Sequence, residues 1–144
     1  MNIKIRKMTV SDLGPLYNLL SNSEVMHYLD APYTKEQTEQ FLLRAGLSKT
    51  PLIYAVEKDN NFIGYVIYHD YDSESLEIGW VLEPDFWWKG IASYLTSIMI
   101  EKARNAGKQV VIECLPEQTS SIRIAEKYGF QNCGMIDGLM IYRL

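Results

Sequence analysis

The segment Leu76–Gly107, LEIGWVLEPDFWWKGIASYLTSIMIEKARNAG, joins a short apolar run to a turn with one glycine and a longer periodic stretch. The run Leu76–Leu82 has the length and composition of a buried strand. Glu83-Pro84-Asp85 ends it, because proline cannot continue a β-ladder. From Ile91 onward apolar residues recur with helical spacing, and Gly107 suits a helix C-terminus. The segment therefore predicts a strand, a loop and a helix whose N-terminus binds an anion, usually a phosphate.

The loop lacks two common phosphate-binding motifs. It has neither the Gly-x-x-x-x-Gly-Lys-Ser/Thr spacing of a triphosphate cradle nor the three glycines of a dinucleotide fingerprint. Instead, Trp87-Trp88-Lys89-Gly90-Ile91-Ala92 resembles the acetyl-CoA loop of the GNAT superfamily of N-acetyltransferases, Gln/Arg-x-x-Gly-x-Gly/Ala. The branch of ribosomal-protein N-terminal acetyltransferases is more similar, with Tyr-Trp-Gly-Lys-Gly-Ile-Ala. Trp88 replaces a glycine of that pattern, so its side chain is expected to point outward.

A second block, in the right order and at the right distance, supports the same resemblance. Ile112–Arg123, followed by Glu126–Phe130, is similar to the family's strand, Pro-Glu-Asn, Ser and Glu-Lys-x-Gly-Phe pattern, with Gln118 at the Asn position. The resemblance implies acetyl-CoA as co-substrate and no metal. Arg123 and Lys127 either contact the CoA phosphates or form a solvated face. The cofactor-binding residues that the resemblance implies are Val81, Leu82, Trp87, Trp88, Lys89, Gly90, Ile91, Ala92, Gln118 and Ser121.

Acetylation of an amine sets the chemical requirements of the site. An alkylamine with a pKa near 10.4 is mostly protonated at pH 7, so a base must accept a proton. Glu77, a carboxylate in an otherwise apolar strand, is the predicted base, and Glu113 on the adjoining strand is the reserve. Alternatively, Glu77 accepts hydrogen bonds from neighbouring loops or caps the sheet edge. The backbone N–H of Leu82, or of Val81, is the predicted donor to the oxyanion.

The resemblance gives no general acid. Many family members have a tyrosine at the position that aligns with Ala125, and alanine cannot donate a proton. Tyr128 is interpreted as a packing residue, so water or no dedicated acid is expected. His27 and His69 are interpreted as exposed or satisfied imidazoles, and Cys114 as a buried, unreactive thiol.

The periodicity of the whole chain gives the order β-α-α-β-β-β-α-β-α-β-β. The resemblance implies an α+β fold of the GNAT type, in three layers with helices on both faces of the sheet. The sheet is expected to be twisted, mostly antiparallel, of six to seven strands, and splayed between Leu76–Leu82 and Val110–Leu115. Residues 1–144 are expected to form a single domain, with the acceptor chosen in the region Glu24–Ala45.

Bulk properties limit the partners. The net charge of −4 argues against a nucleic-acid partner and is compatible with a cationic amine. No apolar run reaches the length of a membrane span, and the start Met1-Asn2-Ile3-Lys4 does not resemble a signal peptide. The two cysteines form no zinc-like or disulfide pattern, so a cytoplasmic enzyme is expected. A homodimer is left open.

Two functions are compatible with these observations. The first is an acetyl-CoA-dependent N-acetyltransferase that acts by direct transfer on the primary amine of a small molecule or of a protein N-terminus. The second is a catalytically silent acyl-CoA-binding domain that acts as a sensor or interaction module.

Overall fold

The computed structural model describes residues 2–144, and its elements follow the predicted order. The four α-helices are α1 (Leu13–Leu20), α2 (Lys35–Phe41), α3 (Ile91–Asn105) and α4 (Thr119–Lys127). A π-helix, Leu42–Gly46, continues α2, and two 3-10 turns lie at Val10–Asp12 and Pro84–Phe86. The seven strands are β1 (Ile3–Arg6), β2 (Ile53–Lys58), β3 (Asn61–Asp70), β4 (Ser75–Leu82), β5 (Gln109–Cys114), β6 (Gln131–Ile136) and β7 (Leu139–Arg143).

The strands form one sheet in the order β1-β2-β3-β4-β5-β7-β6. Antiparallel pairs join β1 to β2, β2 to β3, β5 to β7 and β6 to β7, whereas β4 and β5 are parallel because α3 connects them. The parallel register consists of three pairs, from Ser75 opposite Gln109 to Glu77 opposite Val111. The predicted α+β class, the mostly antiparallel sheet and its separation between these two strands are confirmed.

The chain divides into two compact units, and β3 and β4 run through both. The first unit contains the residues up to Ile67 together with Trp80–Ala92. The core of this unit is apolar. Burial of its side chains supplies most of the favourable free energy of folding. The buried residues of this core are Met8, Leu16, Leu19, Leu20, Val25, Met26, Leu42, Ala45, Ile53, Ala55, Tyr65 and Val81.

Two sets of side-chain hydrogen bonds stabilise the beginnings of helices in the first unit. Asp12 accepts from the Thr9 backbone N–H at 2.8 Å and pairs with Arg6, which also binds Glu57. The Arg6 guanidinium, more than any other cause, holds the pKa of Asp12 below its usual range. At α2, the Thr34 and Gln37 side chains bind each other's backbone N–H groups in a capping box.

Gly64 brings β3 against the end of β4. The pairing of β2 with β3 shifts between Val56 and Glu57, which leaves one extra residue on β3 next to Gly64. A Cβ added at Gly64 would lie 2.1 Å from the Val81 carbonyl oxygen and 2.9 Å from the Leu82 Cα. The absence of a side chain therefore permits the position of Val81 and Leu82.

The second unit contains Tyr68–Gly79 and Ser93–Leu144. The turn between β3 and β4 is closed by the Tyr71 N–H, which donates to the Ser75 carbonyl at 2.9 Å. Arg143 on β7 donates to Asp72 at 3.1 Å and to the Ser75 hydroxyl at 3.3 Å, and its guanidinium lies over the Tyr71 ring. These contacts hold the turn against the last strand.

Within residues 2–144, no helix combines the length and apolar character that a bilayer-spanning segment requires.

We predict that Gly64→Ala lowers the free energy of unfolding by about 2–3 kcal/mol, because the new Cβ collides with backbone that cannot move aside. Gly14→Ala is the matched control, since a Cβ at this helical position meets nothing within 4 Å. It should raise stability by about 0.5–1 kcal/mol through helix propensity. Urea unfolding followed by circular dichroism measures both changes. Equal effects of the two substitutions would contradict the close approach.

Candidate functional site

The end of β4 is held by contacts within the first unit. Val81 and Leu82 are buried, and the next residue, Glu83, donates its N–H to the Ile63 carbonyl at 2.9 Å. The Trp87 indole Nε1–H donates to the Leu82 carbonyl at 2.8 Å. Trp87, in the loop that follows β4, thus holds the Leu82 carbonyl in place. We call this contact the clamp on Leu82; it fixes the direction of the neighbouring backbone groups.

The loop before α3 has the backbone of an anion-binding turn. Trp88 and Gly90 adopt the left-handed region, with φ of 62° and 78°, on either side of Lys89. Turns of this kind direct successive N–H groups to one side, as does the first turn of the 15-residue helix α3. The Trp88 side chain is 81% exposed, which meets the requirement that it point outward. The Lys89 ammonium lies over the Phe86 ring, 5.6 Å from its centroid.

The first turn of α3 also has a cation beside it in the second unit. The Lys127 ammonium donates to the Ser93 hydroxyl at 2.8 Å. The Tyr128 hydroxyl donates to the Ser93 carbonyl at the same distance. Because this hydroxyl proton is already committed, Tyr128 anchors α4 to α3, in agreement with the packing role inferred from the sequence. Ala125 is fully buried in α4.

Gln118 and Ser121, two of the predicted cofactor-binding residues, lie at the start of α4 and present different groups to a ligand. Gln118 Oε1 accepts from the Leu115 N–H at 2.7 Å, and the Gln118 N–H donates to the Leu115 carbonyl. A ligand contact from Gln118 would therefore come from its amide nitrogen, as a donor. Ser121 is half-buried on the first turn of the helix.

Ionisable side chains gather on one face of the second unit. Glu77 and Arg143 each pair with Val111, so their side chains point to the same side of the sheet, and Glu113 follows two residues after Val111. His69 Nε2 lies 3.5 Å from Glu77 Oε1. We call this set, His69, Glu77, Glu113 and Arg143, the Glu77 face. It brings together the predicted base, its predicted reserve and a histidine.

This surrounding changes the acidity of Glu77. Burial raises the pKa of the Glu77 carboxyl first, the charge of Glu113 raises it further, and His69 opposes both. The pKa of Tyr71 is also raised, by burial and then by its hydrogen bond to Glu113. A carboxyl whose pKa is raised binds a proton more readily than an exposed one. Glu77 is thus chemically suited to accept a proton.

His69 is the residue of this face that interpretation of the sequence missed. The sequence contained a signal, because counting outward from the turn Tyr71–Ser75 places His69 opposite Glu77 on the facing strand. An exact register was needed for that step, and a one-residue error would put the histidine on the other face. Glu83 was also passed over, although burial and then the charge of Asp85 raise its pKa.

Other ionisable groups fit no catalytic role. Burial raises the pKa of the Cys114 thiol, which agrees with its interpretation as unreactive. Among residues 2–144, His, Cys, Asp and Glu form no group of three or more with the spacing to hold a metal ion.

Comparisons with known proteins agree on one family. The family model of the acetyltransferase (GNAT) domain matches residues 2–131. The uncharacterized N-acetyltransferase YnaD of Bacillus subtilis (strain 168) is 29% identical in an alignment of 138 residues that covers 90% of this chain and 79% of that protein.

Solved structures give the same result. An acetyltransferase (GNAT family) from Bacillus anthracis has a TM-score of 0.86 at 25% identity, over 100% of this chain and 95% of that one. Ribosomal-protein-alanine N-acetyltransferase from Brucella melitensis has a TM-score of 0.74 at 20% identity, over 98% of each chain. Spermidine N-acetyltransferase from Vibrio cholerae, in complex with CoA and spermine, has a TM-score of 0.79 at 21% identity, over 99% of this chain and 93% of that one. The last two share the fold.

We predict that Glu77→Gln stabilises the folded protein at pH 7.5. A raised pKa means that the folded state binds this proton more tightly than the unfolded state does, so stability is lost as pH rises from the ordinary glutamate value through the folded value. Removing the charge should raise the urea midpoint at pH 7.5 and change it little at pH 4. The exposed neighbour, in Glu74→Gln, should give no such pH-dependent gain. An equal midpoint shift at both pH values would refute the raised pKa.

The clamp on Leu82 predicts unequal effects of two adjacent tryptophans. Trp87→Phe keeps an aromatic ring but loses the donor to the Leu82 carbonyl, so it should cost about 1 kcal/mol of stability. Trp88→Phe should stay within about 0.5 kcal/mol, because that side chain is exposed. Chemical unfolding measures both variants. The reverse order would mean that Trp88 holds the loop.

Proposed function

Because the chain belongs to the acetyltransferase (GNAT) family, we propose that it transfers the acetyl group of acetyl-CoA directly to a primary amine. The amine is carried by a small molecule or by a protein N-terminus. The observation that carries this proposal is the turn before α3, where left-handed Trp88 and Gly90 lead into the helix N-terminus. Such a turn is suited to a diphosphate, the group that an acyl-CoA contributes at this point.

The chain's own groups divide the binding of acetyl-CoA among them. In the first unit, backbone N–H groups of Trp88–Ile91 hold the diphosphate, while the Trp87 N–H already donates to the Pro84 carbonyl. In the second unit, Lys127 adds a positive charge beside Ser93. Val81 and Leu82 hydrogen-bond along the thioester arm through their backbone. Gln118 donates to the pantetheine from its amide nitrogen, and Ser121 contacts the same arm through its hydroxyl.

Glu77 is the proposed base. The acceptor enters as an ammonium ion, which becomes nucleophilic only after it loses a proton. The raised pKa of the Glu77 carboxyl supports this role, because a base works best when its pKa lies near the operating pH. Glu113 keeps the supporting role of raising that pKa.

The remaining steps follow from the same groups. The neutral amine attacks the thioester carbon, a C–N bond forms, and the oxygen becomes an oxyanion. The Leu82 N–H, or that of Val81, donates to this oxyanion, and the hydrogen bond from Trp87 to the Leu82 carbonyl keeps that backbone in place. The attacking nitrogen then loses its extra proton to water and the C–S bond breaks, which gives the amide. The CoA thiolate takes a proton from water, since Ala125 supplies none.

The boundaries and setting belong to the same proposal. Residues 1–144 act as one acetyltransferase domain, since the family match covers residues of both units. A cytoplasmic location agrees with Cys114 and Cys133, which are free thiols. The net charge of −4 favours a cationic acceptor over nucleic acid. Light scattering decides whether the protein is the homodimer that the sequence left open.

The proposal predicts that purified protein binds CoA and consumes acetyl-CoA with at least one member of an amine panel. The panel contains diamines, polyamines, amino sugars and short peptides with free N-termini. Calorimetry measures CoA binding, and mass spectrometry identifies the acetylated product. Absence of CoA binding would end the proposal. CoA binding without transfer to any amine would favour the silent binding module instead.

With an active amine identified, Glu77→Gln should lower kcat/KM about 100-fold at pH 7 and less at high pH, where the amine is already neutral. Glu74→Gln serves as control and should follow the wild-type profile. A Glu77→Gln profile of unchanged shape would remove Glu77 from the mechanism.

A further inference from the structure

We propose that His69 is a positioning residue for acetyl transfer: its imidazole shares one proton with the Glu77 carboxyl and receives the proton that Glu77 takes from the acceptor amine. This inference rests on the proposed function, because it assigns a partner to the proposed base.

The first step of the argument is the state of the imidazole ring. His69 Nδ1 lies 2.9 Å from the Asp70 backbone carbonyl oxygen. A carbonyl oxygen only accepts hydrogen bonds, so Nδ1 must carry the hydrogen. In the neutral ring, Nε2 is then the nitrogen with a free lone pair.

The second step is what this lone pair faces. His69 Nε2 lies 3.5 Å from Glu77 Oε1. A lone pair opposite a carboxylate oxygen is repulsive unless a proton sits on one of the two atoms. The pair is attractive when it holds one proton, either as imidazolium with carboxylate or as imidazole with carboxylic acid. The 3.5 Å separation is an ion-pair distance and places the two acceptors close enough for one proton to serve both.

The third step is the environment of the pair. From β5, Glu113 adds a second negative charge, and its neighbour Tyr71 donates a hydrogen bond to it. From β7, the positive charge of Arg143 is directed to Asp72 and to the Tyr71 ring. Two carboxylates and one paired cation leave the face short of positive charge, which favours an additional proton.

The positive charge of Lys102, on helix α3, lies beside Tyr68. The Lys102 ammonium lies over the ring of Tyr68, 5.2 Å from its centroid. Tyr68 precedes His69 on β3, and successive strand residues point to opposite faces. The Lys102 ammonium over Tyr68 therefore lies on the side of β3 opposite to His69.

These contacts give His69 a defined task. The pair first gives its shared proton to solvent; the ammonium proton then reaches Glu77 and moves to Nε2, which leaves a carboxylate beside an imidazolium and restores the pair with one proton. The imidazole side chain is 25% exposed and the Glu77 side chain 20% exposed, so His69 then returns the proton to solvent. No bond other than those to the proton forms or breaks.

The first experiment tests the proton sharing without turnover. The chain has two histidines, so long-range ¹H–¹⁵N spectra of the wild type and of His27→Gln assign the two rings. The neutral His69 ring should carry its hydrogen on Nδ1, the less common form in water. Finding the hydrogen on Nε2 would overturn the proposal.

The same samples test the effect on the carboxyl group. ¹³C spectra of the glutamate carboxyls follow the titration of Glu77, which Glu77→Gln identifies. His69→Gln should raise the pKa of Glu77, because the imidazole is the neighbour that lowers it and an amide carries no charge. An unchanged titration of Glu77 in His69→Gln would also overturn the proposal.

The second experiment tests the role in catalysis. With the amine found above, His69→Gln should lower kcat about tenfold at pH 7, leave the KM for acetyl-CoA within twofold, and move the acid limb of the profile to higher pH. In a Glu77→Gln background the same change should have no further effect. A purely structural role would lower stability without moving the pH profile.

The outcomes separate the two proposals. If no amine is acetylated, the proposed function fails, and the catalytic role of His69 fails with it even when the spectra confirm the shared proton. If transfer occurs and the His69→Gln profile superimposes on that of the wild type, the function stands and the role of His69 is wrong.

Discussion

The structure depends on how β4 is paired. Its parallel register with β5 ends at Glu77 opposite Val111. At the other end of β4, the backbone of Val81 and Leu82 lies so close to Gly64 on β3 that a side chain at residue 64 would collide with it. A fully paired strand has its N–H and C=O groups engaged in the ladder, whereas a strand that leaves its neighbour can present them to a ligand. The same strand carries the proposed base early and the proposed oxyanion donor at its end.

Two kinds of contact stabilise the elements around this strand. Buried apolar side chains supply the bulk of the free energy in the first unit, as the residues from Met8 to Val81 in its core illustrate. Specific polar contacts then set positions, for example Trp87 on the Leu82 carbonyl and Tyr128 on the Ser93 carbonyl. The polar contacts add little free energy each, yet they decide where the loop and α4 lie.

Part of this arrangement was predictable for clear reasons. The elements followed from periodicity, because apolar spacing reports which face of a strand or helix is buried. The turn at Trp87–Ala92 followed from its glycine and from its resemblance to a family loop. The left-handed conformation of Trp88 did not follow from its identity, since tryptophan rarely adopts positive φ, and a glycine in the related pattern was its only sign.

The sequence by itself determined the order of the elements and the family, because local periodicity and short motifs are properties of neighbouring residues. It also pointed to Glu77, the proposed base, as a carboxylate in an apolar strand. Tertiary structure alone decided that His69 faces Glu77, that Glu113 raises its pKa, and that the Tyr128 hydroxyl is bound to Ser93. Contacts of this second kind depend on strand register and on the packing of α4 against α3. A shift of one residue turns a side chain to the opposite face, so a local pattern such as the turn Tyr71–Ser75 suggests a register but does not fix it.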